Sequence, residues 1–292
     1  MAGQARGRAR CQVRAANPHA DAIGGARDPV PRVAYDDPVA TRIDLNADVG
    51  ESLGPWQMGA DAALMPHLTS VNVACGFHAG DPLTIRRTVR LALDEGLSIG
   101  AHPGFPDLVG FGRRAMSMAP DELEAAVLYQ VAALAGVVRA EDGRLAHVKA
   151  HGALYHHVAA DAAAARAFAT AVARLDPGLR IVGPPGSAVL AAAAGLGLRS
   201  LVEGFADRVY EAGGHLRSRD LPGALNDDPD SAAAQAVALA RDGRVTAADG
   251  STVIVPADTI CIHGDTPGAP AIAAAVRQAL AAAGIEVRAV GG

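Results

Sequence analysis

Short apolar runs alternate with longer amphipathic segments along the chain from residue 43 onward. The short runs predict seven strands, and the longer segments, with apolar residues at helical spacing, predict six helices between them. The predicted strands span residues 42–46, 70–74, 97–101, 145–150, 179–183, 198–203 and 259–263. The predicted helices span residues 82–95, 120–139, 161–175, 187–194, 230–241 and 269–283. Strands that alternate with helices in this way run parallel, and seven such units favour a closed β/α barrel over an open sheet.

The first 41 residues have a different pattern. They contain six arginines and several glycines and prolines, but no periodic apolar positions that would form a core. This composition predicts a disordered N-terminal extension, and a basic arm that binds RNA or an acidic partner is the less favoured alternative. Residues 42–292 are predicted to form one barrel domain that carries the catalytic site.

Composition narrows the class of partner. The net charge of −5 argues against nucleic acid as the main partner, because nucleic-acid binding usually needs a concentrated basic surface. No apolar stretch of membrane-spanning length is free of charged residues or glycines, so no membrane partner is expected. Three cysteines are too few for a disulfide framework and suit a reducing compartment. The sequence therefore predicts a soluble, cytoplasmic protein.

Polar clusters with adjacent glycines follow six of the predicted strands. They lie at residues 46–51, 75–81, 100–104, 149–152, 203–208 and 263–265. The carboxyl ends of all strands in a parallel barrel open on the same face, so these clusters are expected to meet in one pocket. Glycine beside a polar residue permits tight turns and close approach of the backbone to a ligand.

Lys149 is the only lysine in a chain with 25 arginines, and it ends the fourth predicted strand. An ammonium is a compact point charge whose pKa responds to burial, whereas a guanidinium is a wide fork that stays protonated. Apolar Val148 and Ala150 on either side favour a confined site, either for an oxygen or phosphate or for a tuned acid or base. The competing interpretation is a leftover lysine on a solvated face.

The polar clusters carry a resemblance to the LamB/YcsF family. Two long strings, residues 44–51 (DLNADVGE) and 72–82 (NVACGFHAGDP), are the strongest part of the match. It continues through GAHP at 100–103, GFGRR at 110–114, VK at 148–149, HGALY at 151–155, FADR at 205–208 and CIHGD at 261–265. Ala150 and His156 depart from the family pattern, which usually has proline and asparagine there, and this departure affects the expected turnover rate more than the reaction type.

The resemblance implies a seven-stranded, irregular TIM-like barrel of the glycoside hydrolase/deacetylase type. It also implies ATP-dependent opening of the lactam ring of 5-oxoproline to glutamate, by a catalytic A component that works with 5-oxoprolinase subunits B and C. ATP is then a co-substrate, with Mg²⁺ as its counterion. An unstrained amide is a poor electrophile, so the chemistry needs an activated oxygen, a base for water and an acid for the departing nitrogen.

Candidate site residues come from the same motifs. The predicted catalytic residues are Asp48, Asp81, Lys149 and His151. The predicted substrate-binding residues are Asn46, Glu51, Asn72, His78, His102, Arg113, Glu203, Asp207, Arg208, His263 and Asp265. The metal candidates are Asp48, His78 and His151, since imidazole and carboxylate suit Zn, Mn or Ni, but buried histidines that hold loops by hydrogen bonds are an equal alternative.

Several motifs have a structural alternative. Asp207 and Arg208 form either part of the site or an ion pair at the base of a loop. Residues 104–114, which end in Arg113 and Arg114, either wrap a phosphate or form a turn. Cys75 and Cys261 are interpreted as packing residues. No Walker-type phosphate loop occurs, so ATP is expected to bind in another way or with a partner's help.

Three functions from different classes remain open at this stage. The first is the catalytic component of a 5-oxoprolinase. The second is a stand-alone metal-dependent deacetylase or amidohydrolase that acts on a sugar or cyclic amide. The third is a non-catalytic binding component whose chemistry occurs in its partners, which the many titratable groups at strand ends disfavour, because burying such groups is costly.

Overall fold

The computed structural model of the protein describes residues 42–290. The predicted N-terminal extension, residues 1–41, lies outside the described residues. The described residues contain ten strands, eight α-helices and one 3₁₀-helix.

Seven parallel strands close into a barrel, as the strand pattern predicted. The ten strands are β1 (Arg42–Val49), β2 (Ser70–Ala74), β3 (Ser98–His102), β4 (Leu145–Lys149), β5 (Arg180–Gly183), β6 (Arg199–Phe205), β7 (Arg244–Thr246), β8 (Thr252–Ile254), β9 (Thr259–His263) and β10 (Glu286–Val287). The barrel runs from β1 through β6 to β9, which pairs with β1 over five residues and closes the ring. β7 and β8 form a separate antiparallel hairpin, and β10 pairs with the start of β1.

Helices cover the outside of the barrel. They are α1 (Asp61–Leu64), α2 (Pro82–Asp94), α3 (Pro120–Ala140), α4 (Gly152–Ala160), α5 (Ala162–Leu175), α6 (Ala188–Gly195), α7 (Pro229–Asp242) and α8 (Ala269–Ala282), with a 3₁₀-helix at Met65–His67. All six predicted helices are present. The hydrophobic pattern did not predict α4, because apolar residues surround the whole helix and leave no amphipathic stripe. It also did not predict α1 or the β7–β8 hairpin, because these elements are too short to show a period.

The interior of the barrel is polar, whereas the apolar core lies between the strands and the helices. On β1, Asp44, Asn46 and Asp48 bond to groups of other barrel strands, and the alternate residues, such as Leu45, belong to the apolar core. Successive side chains of a strand point to opposite faces, so one strand serves both layers. Buried polar groups are generally hydrogen-bonded, and these side chains find their partners in one another.

α3 is the one helix of the described residues that is long and apolar enough to cross a membrane. Its buried residues, Leu123, Val127, Val131, Leu134 and Val138, recur at helical spacing and belong to the apolar core. The apolar residues of α3 therefore pack in the core that covers the barrel.

A pair of glycine variants tests this packing. A Cβ added at Gly264, just after β9, would lie 2.5 Å from the backbone oxygen of Asp48, whereas one added at Gly136 in α3 would meet nothing within 4 Å. We expect Gly264→Ala to lower the free energy of unfolding by about 1–3 kcal/mol through overpacking. Gly136→Ala should raise it by about 0.5–1 kcal/mol, because alanine loses less backbone entropy in a helix. Urea unfolding of both variants measures the difference, and equal stabilities would contradict the packing described.

Candidate active site

A cavity of about 580 Å³ opens at the carboxyl ends of the barrel strands. Nine of the fifteen predicted site residues line it, and they come from the ends of β1, β3, β4 and β9 and from the loops after β1, β3, β4, β6 and β9. These nine residues are Asp48, Glu51, His102, Arg113, Lys149, His151, Arg208, His263 and Asp265. The barrel thus brings together residues that are separated by up to 217 positions in sequence (265 − 48).

Five other predicted residues lie behind the cavity wall or beneath its floor. Asn46 and Asn72 sit one layer deeper in the barrel, where Asn72 donates to Asn46 Oδ1 at 2.8 Å and to Asp48 Oδ1 at 2.9 Å. His78, Glu203 and Asp207 are buried behind residues that do line the cavity. None of these five residues lines the cavity; each contacts a residue that does, and their predicted part in substrate binding stays a prediction.

Asp81 is the one predicted catalytic residue that the structure places elsewhere. Its carboxylate caps the N-terminus of α2, where it accepts from the backbone of Leu83 at 2.9 Å and from the Thr84 hydroxyl at 2.6 Å. It also accepts from the Gly54 backbone at 2.9 Å. These hydrogen bonds, that from Thr84 first, hold the pKa of Asp81 well below its usual range. A carboxylate so occupied caps the helix and fixes the adjoining loop, and the structure places it outside the cavity lining.

Lys149 extends across the barrel interior beneath the cavity. Its ammonium lies 2.9 Å from Asp48 Oδ1, 2.8 Å from Glu203 Oε1 and 3.1 Å from Cys261 Sγ. Burial by itself lowers the pKa of Lys149, but the carboxylates, Asp48 first, outweigh burial and raise it well above its usual range. Lys149 is therefore a permanent cation held by carboxylates. This direction disfavours the alternative of a tuned acid or base, and the ammonium offsets the charge of the adjacent Asp48 and Glu203 carboxylates.

Asp48 forms the part of the floor that faces the cavity. Its Oδ1 accepts from Lys149 and Asn72, and its Oδ2 lies 3.2 Å from His102 Nε2. Burial raises the pKa of Asp48, but the adjacent His102 and the Lys149 ammonium outweigh burial and hold the pKa well below its usual range. Asp48 is accordingly a carboxylate at neutral pH, with one oxygen engaged from below and the other directed at the histidines.

Three histidines and a glutamate form a compact buried cluster beside Asp48. One ligand atom from each of Glu51, His78, His102 and His151 lies within 4.8 Å of every other, a spacing that could hold a metal ion. His151 Nδ1 lies 3.0 Å from His102 Nε2 and 3.3 Å from Glu51 Oε1. His78 stacks on His151 with 3.6 Å between ring centroids. Burial, with His78 as the next cause, lowers the pKa of His151 well below its usual range, so this ring is neutral.

Asp207 and His263 form a second pair at the opposite wall. The His263 ring donates from Nδ1 to Asp207 Oδ1 at 2.9 Å, and the His263 backbone amide donates to Asp207 Oδ2 at 2.9 Å. The Thr266 hydroxyl donates to the same Oδ2 at 2.7 Å. This arrangement fixes the tautomer of His263 and leaves its Nε2 for the cavity, as in other carboxylate-oriented bases.

The proposed ion pair between Asp207 and Arg208 is absent. Asp207 is fully occupied by the His263 and Thr266 contacts, and Arg208 instead donates to two backbone carbonyls, those of Ala224 at 3.3 Å and Arg217 at 2.6 Å. Arg208 thereby holds the long loop between β6 and α7 in place. Neighbours in sequence at a strand end point in different directions, which is why the adjacent residues do not pair.

A group of arginines forms the rim of the cavity. Arg113 pairs with Asp265 at 2.6 Å, and Arg219 lies 3.3 Å from the same carboxylate oxygen. Arg208 and Arg217 line the cavity beside them. Arg114, the other arginine of the predicted phosphate-wrapping loop, points away and pairs with Asp107. The rim of the cavity therefore carries four arginines but only two carboxylates, those of Asp220 and Asp265.

Sequence reasoning missed part of this lining. Tyr155, His156, Arg217 and Arg219 all face the cavity. Tyr155 and His156 lie on the unpredicted helix α4, so they were not placed at the cavity mouth. Arg217 and Arg219 lie between β6 and α7, in a connection longer than loops without a function usually are, and that length was the available signal.

The two described cysteines are packing residues, as predicted. Burial raises the pKa of the Cys75 thiol to about 12. Burial also raises the pKa of Cys261, and the nearby Lys149 charge opposes the shift without cancelling it. Neither thiol is therefore ionised at neutral pH, and ionisation is what a nucleophilic cysteine requires.

Comparison with known proteins identifies the family. The model of the LamB/YcsF family matches residues 43–292. The chain belongs to the LamB/YcsF family. A family member from Methylococcus capsulatus, named as the A component of 5-oxoprolinase, is 54% identical over 254 residues, which is 87% of this chain and 98% of the relative. Its namesake from Symbiobacterium thermophilum is 53% identical over 250 residues, or 86% of this chain and 96% of the relative.

A solved structure in the same family has the same fold. The lactam utilization protein from Thermus thermophilus superposes with a TM-score of 0.81 at 49% identity, and the match covers 85% of this chain and 100% of that one. At this identity, nearly the whole of the described barrel is shared with a LamB/YcsF family structure.

Lys149 gives the first test of the site. We expect Lys149→Met to lower the free energy of unfolding by about 3–5 kcal/mol, because Asp48 and Glu203 would be left buried without their shared cation. Lys149→Arg should cost about 1–3 kcal/mol, because the wider guanidinium has to fit among the same groups. The control is the reverse exchange, Arg166→Lys, at an exposed position of α5. Chemical denaturation measures all three, and a Lys149→Met variant as stable as the control would contradict the geometry.

Proposed function

We propose that this chain opens the lactam ring of 5-oxoproline to give glutamate, in a reaction coupled to ATP hydrolysis and completed by two partner subunits, B and C. The observation that carries the proposal is a single cavity with a floor of carboxylates and imidazoles and a rim of arginines. Relatives also support the proposal, because two proteins named as the A component of 5-oxoprolinase match this chain over nearly their whole length.

The floor of the cavity supplies the groups that act on water. Asp48 is held ionised by Lys149, and the neutral His151 has Nδ1 directed toward the centre of the cluster. Asp48 accepts a proton from a water molecule that attacks the lactam carbon when that water lies within hydrogen-bond reach of its carboxylate, and His151 is the alternative base if its Nδ1 binds no metal. Glu203 and Asn72 contribute indirectly, because they hold Lys149 and Asp48 in place.

His263 supplies the acid for the departing nitrogen. Its Nδ1 is committed to Asp207, so only Nε2 exchanges protons with a molecule in the cavity. The Phe205 ring stacks on His263 at 5.3 Å between centroids and restricts the orientation of the imidazole. A protonated His263 then donates to the ring nitrogen as the C–N bond breaks, and Asp207 stabilises the imidazolium before the transfer.

The arginine rim is the part of the cavity that suits anions. 5-Oxoproline carries a carboxylate, and a phosphorylated form of it carries a phosphate as well. Guanidinium groups bind both with paired hydrogen bonds. Arg208, Arg217 and Arg219 come from one loop and Arg113 from another, so a bound anion would connect the two sides of the mouth. We assign the carboxylate and phosphate of the substrate to this rim.

The reaction that fits these groups begins with transfer of the γ-phosphoryl group of ATP to the lactam oxygen. Water then adds to the activated carbon, and the C–N bond breaks as the nitrogen receives a proton. This leaves an acyl phosphate of glutamate, which a second water hydrolyses to glutamate and phosphate. Phosphorylation supplies the driving force, because it turns a poor amide electrophile into a good one.

The nucleotide is assigned to a site completed by the partners. The chain has no Walker-type loop, and its cavity is lined by titratable side chains and not by a glycine-rich phosphate loop. ATP would arrive as its magnesium complex, with subunits B and C providing most of the nucleotide contacts. We also propose that the assembly works in the cytoplasm, where free thiols such as that of Cys75 stay reduced.

One observation favours a second candidate, a metal-dependent amidohydrolase that needs no ATP. The cluster of Glu51, His78, His102 and His151 offers the imidazole and carboxylate atoms that such hydrolases use to bind a metal. The two candidates differ in whether ring opening requires ATP.

Reconstitution separates the candidates. We expect no glutamate from 5-oxoproline with this chain alone, with or without ATP, and ATP-dependent glutamate formation when subunits B and C are added. His263→Ala should remove that activity, whereas His67→Ala, on the 3₁₀-helix away from the cavity, should retain it. Glutamate is measured by an enzymatic assay, with ADP quantified in parallel. Ring opening by the chain alone without ATP would favour the second candidate, and full activity in His263→Ala would refute the assigned acid.

A further inference from the structure

Two histidines face each other on the cavity floor with their tautomers fixed by the backbone. His102 Nδ1 lies 2.8 Å from the carbonyl oxygen of Lys149, and His151 Nε2 lies 2.8 Å from the carbonyl oxygen of Phe111. A carbonyl oxygen only accepts, so each of these nitrogens carries a proton and donates it. The opposite nitrogens, His102 Nε2 and His151 Nδ1, present lone pairs when the rings are neutral, and they lie only 3.0 Å apart.

Carboxylate oxygens lie beside these two ring nitrogens. Glu51 Oε1 is 3.3 Å from His151 Nδ1, and Asp48 Oδ2 is 3.2 Å from His102 Nε2. Four electron-pair donors therefore converge in a buried space. Acceptors at these distances repel one another unless a cation lies among them, and burial makes the repulsion stronger than it would be in water.

The number of converging donors indicates what kind of cation is needed. Asp48 and Glu203 contact the ammonium of Lys149, whereas Glu51 lies beside His151. One proton shared between the two histidines would satisfy only two of the four donors. A divalent metal ion accepts electron pairs from several donors at once.

We propose that Glu51, His102 and His151 bind a divalent transition-metal ion, with Zn²⁺ as the preferred metal. Two imidazole nitrogens and one carboxylate oxygen are a common set of ligands for catalytic zinc, which keeps a further position open. All three residues line the cavity, so the open position faces it. Asp48 adjoins that position and accepts a hydrogen bond from a water molecule bound there. The site does not depend on the proposed reaction, because it follows from these contacts alone.

His78 is a positioning residue in this site and not a ligand. Its Nε2 lies 3.2 Å from Glu51 Oε1, and its Nδ1 is buried without a hydrogen-bond partner among the described residues. A proton on Nδ1 would be stranded, so the proton sits on Nε2 and is donated to Glu51. His78 thus orients the carboxylate ligand, as the outer partners of metal ligands generally do. Of the metal candidates suggested by the sequence, His151 is kept in this proposal, and Glu51 and His102 take the places of Asp48 and His78.

A metal at this position would act as a Lewis acid on an oxygen that enters the cavity. It would also lower the pKa of a bound water, which matches the need for a nucleophile at neutral pH. Lewis acidity and a more acidic bound water would both promote hydrolysis, whether the substrate is a phosphorylated lactam or an amide that has not been activated.

Metal titration of the full chain tests the site without an activity assay. The protein is treated with EDTA, freed of the chelator and titrated with ZnCl₂ against a chromophoric zinc indicator. We expect one tight equivalent in the wild type, and a loss of affinity of more than about 100-fold in His102→Ala and His151→Ala. His215→Ala, which removes a histidine outside the cavity lining, should bind as the wild type does. Circular dichroism checks that each variant is folded.

Two further measurements keep the proposal open to refutation. His78→Gln retains a donor toward Glu51, so it should keep zinc affinity within about tenfold of the wild type, a smaller loss than either ligand variant shows. Zn²⁺ should raise the melting temperature of the wild type but not of His102→Ala. The proposal is overturned if wild type and His102→Ala bind Zn²⁺ equally, which would leave a shared proton between the histidines. A loss in His78→Gln as large as that in His102→Ala would overturn the ligand assignment.

Discussion

One buried ammonium holds the polar interior of this barrel together. Lys149, at the end of β4, contacts Asp48 on β1, Glu203 on β6 and Cys261 on β9, so a single side chain connects strands around the barrel. Burying carboxylates costs several kcal/mol each unless a countercharge lies close by. The compact ammonium meets that requirement at a point shared by Asp48 and Glu203, which a wide planar guanidinium suits less well. This constraint explains why the one lysine of the chain stands here, among 25 arginines elsewhere.

The cavity depends on that interior. Because Lys149 and Asn72 fix one oxygen of Asp48, the other oxygen is presented to His102 at a set distance, and the histidine cluster is built from there. Asp48, His102 and Lys149 of the floor are carried on the ends of strands and so keep their geometry before substrate arrives, and Glu51 and His151 follow within two residues of a strand end. The arginines of the rim sit on loops, where a bound anion can adjust them. A rigid floor below a more adaptable mouth suits chemistry on a small anionic molecule.

The sequence allowed prediction of the barrel and of the face that carries the site, because strand ends in a parallel barrel converge whatever their separation. It could not show which polar residues reach the cavity. Asn46 and Asp48 lie on the same strand face two residues apart, which puts one beneath the floor and the other in it. Asp207 pairs with His263 across the barrel and not with Arg208 beside it, and only the closed fold creates that contact. Arg217 and Arg219 reach the rim from a long loop whose path no periodicity encodes.

The central claim is that Lys149 and its carboxylates act as one coupled unit, and a double-mutant cycle tests it most directly. The free energies of unfolding of Lys149→Met, Glu203→Gln and the double variant are measured by urea denaturation. Because the second substitution removes the charge that the first leaves unpaired, we predict that the double variant is more stable than the sum of the single effects by about 2–3 kcal/mol. Additivity within about 0.5 kcal/mol would show that the two side chains do not interact and would contradict the account.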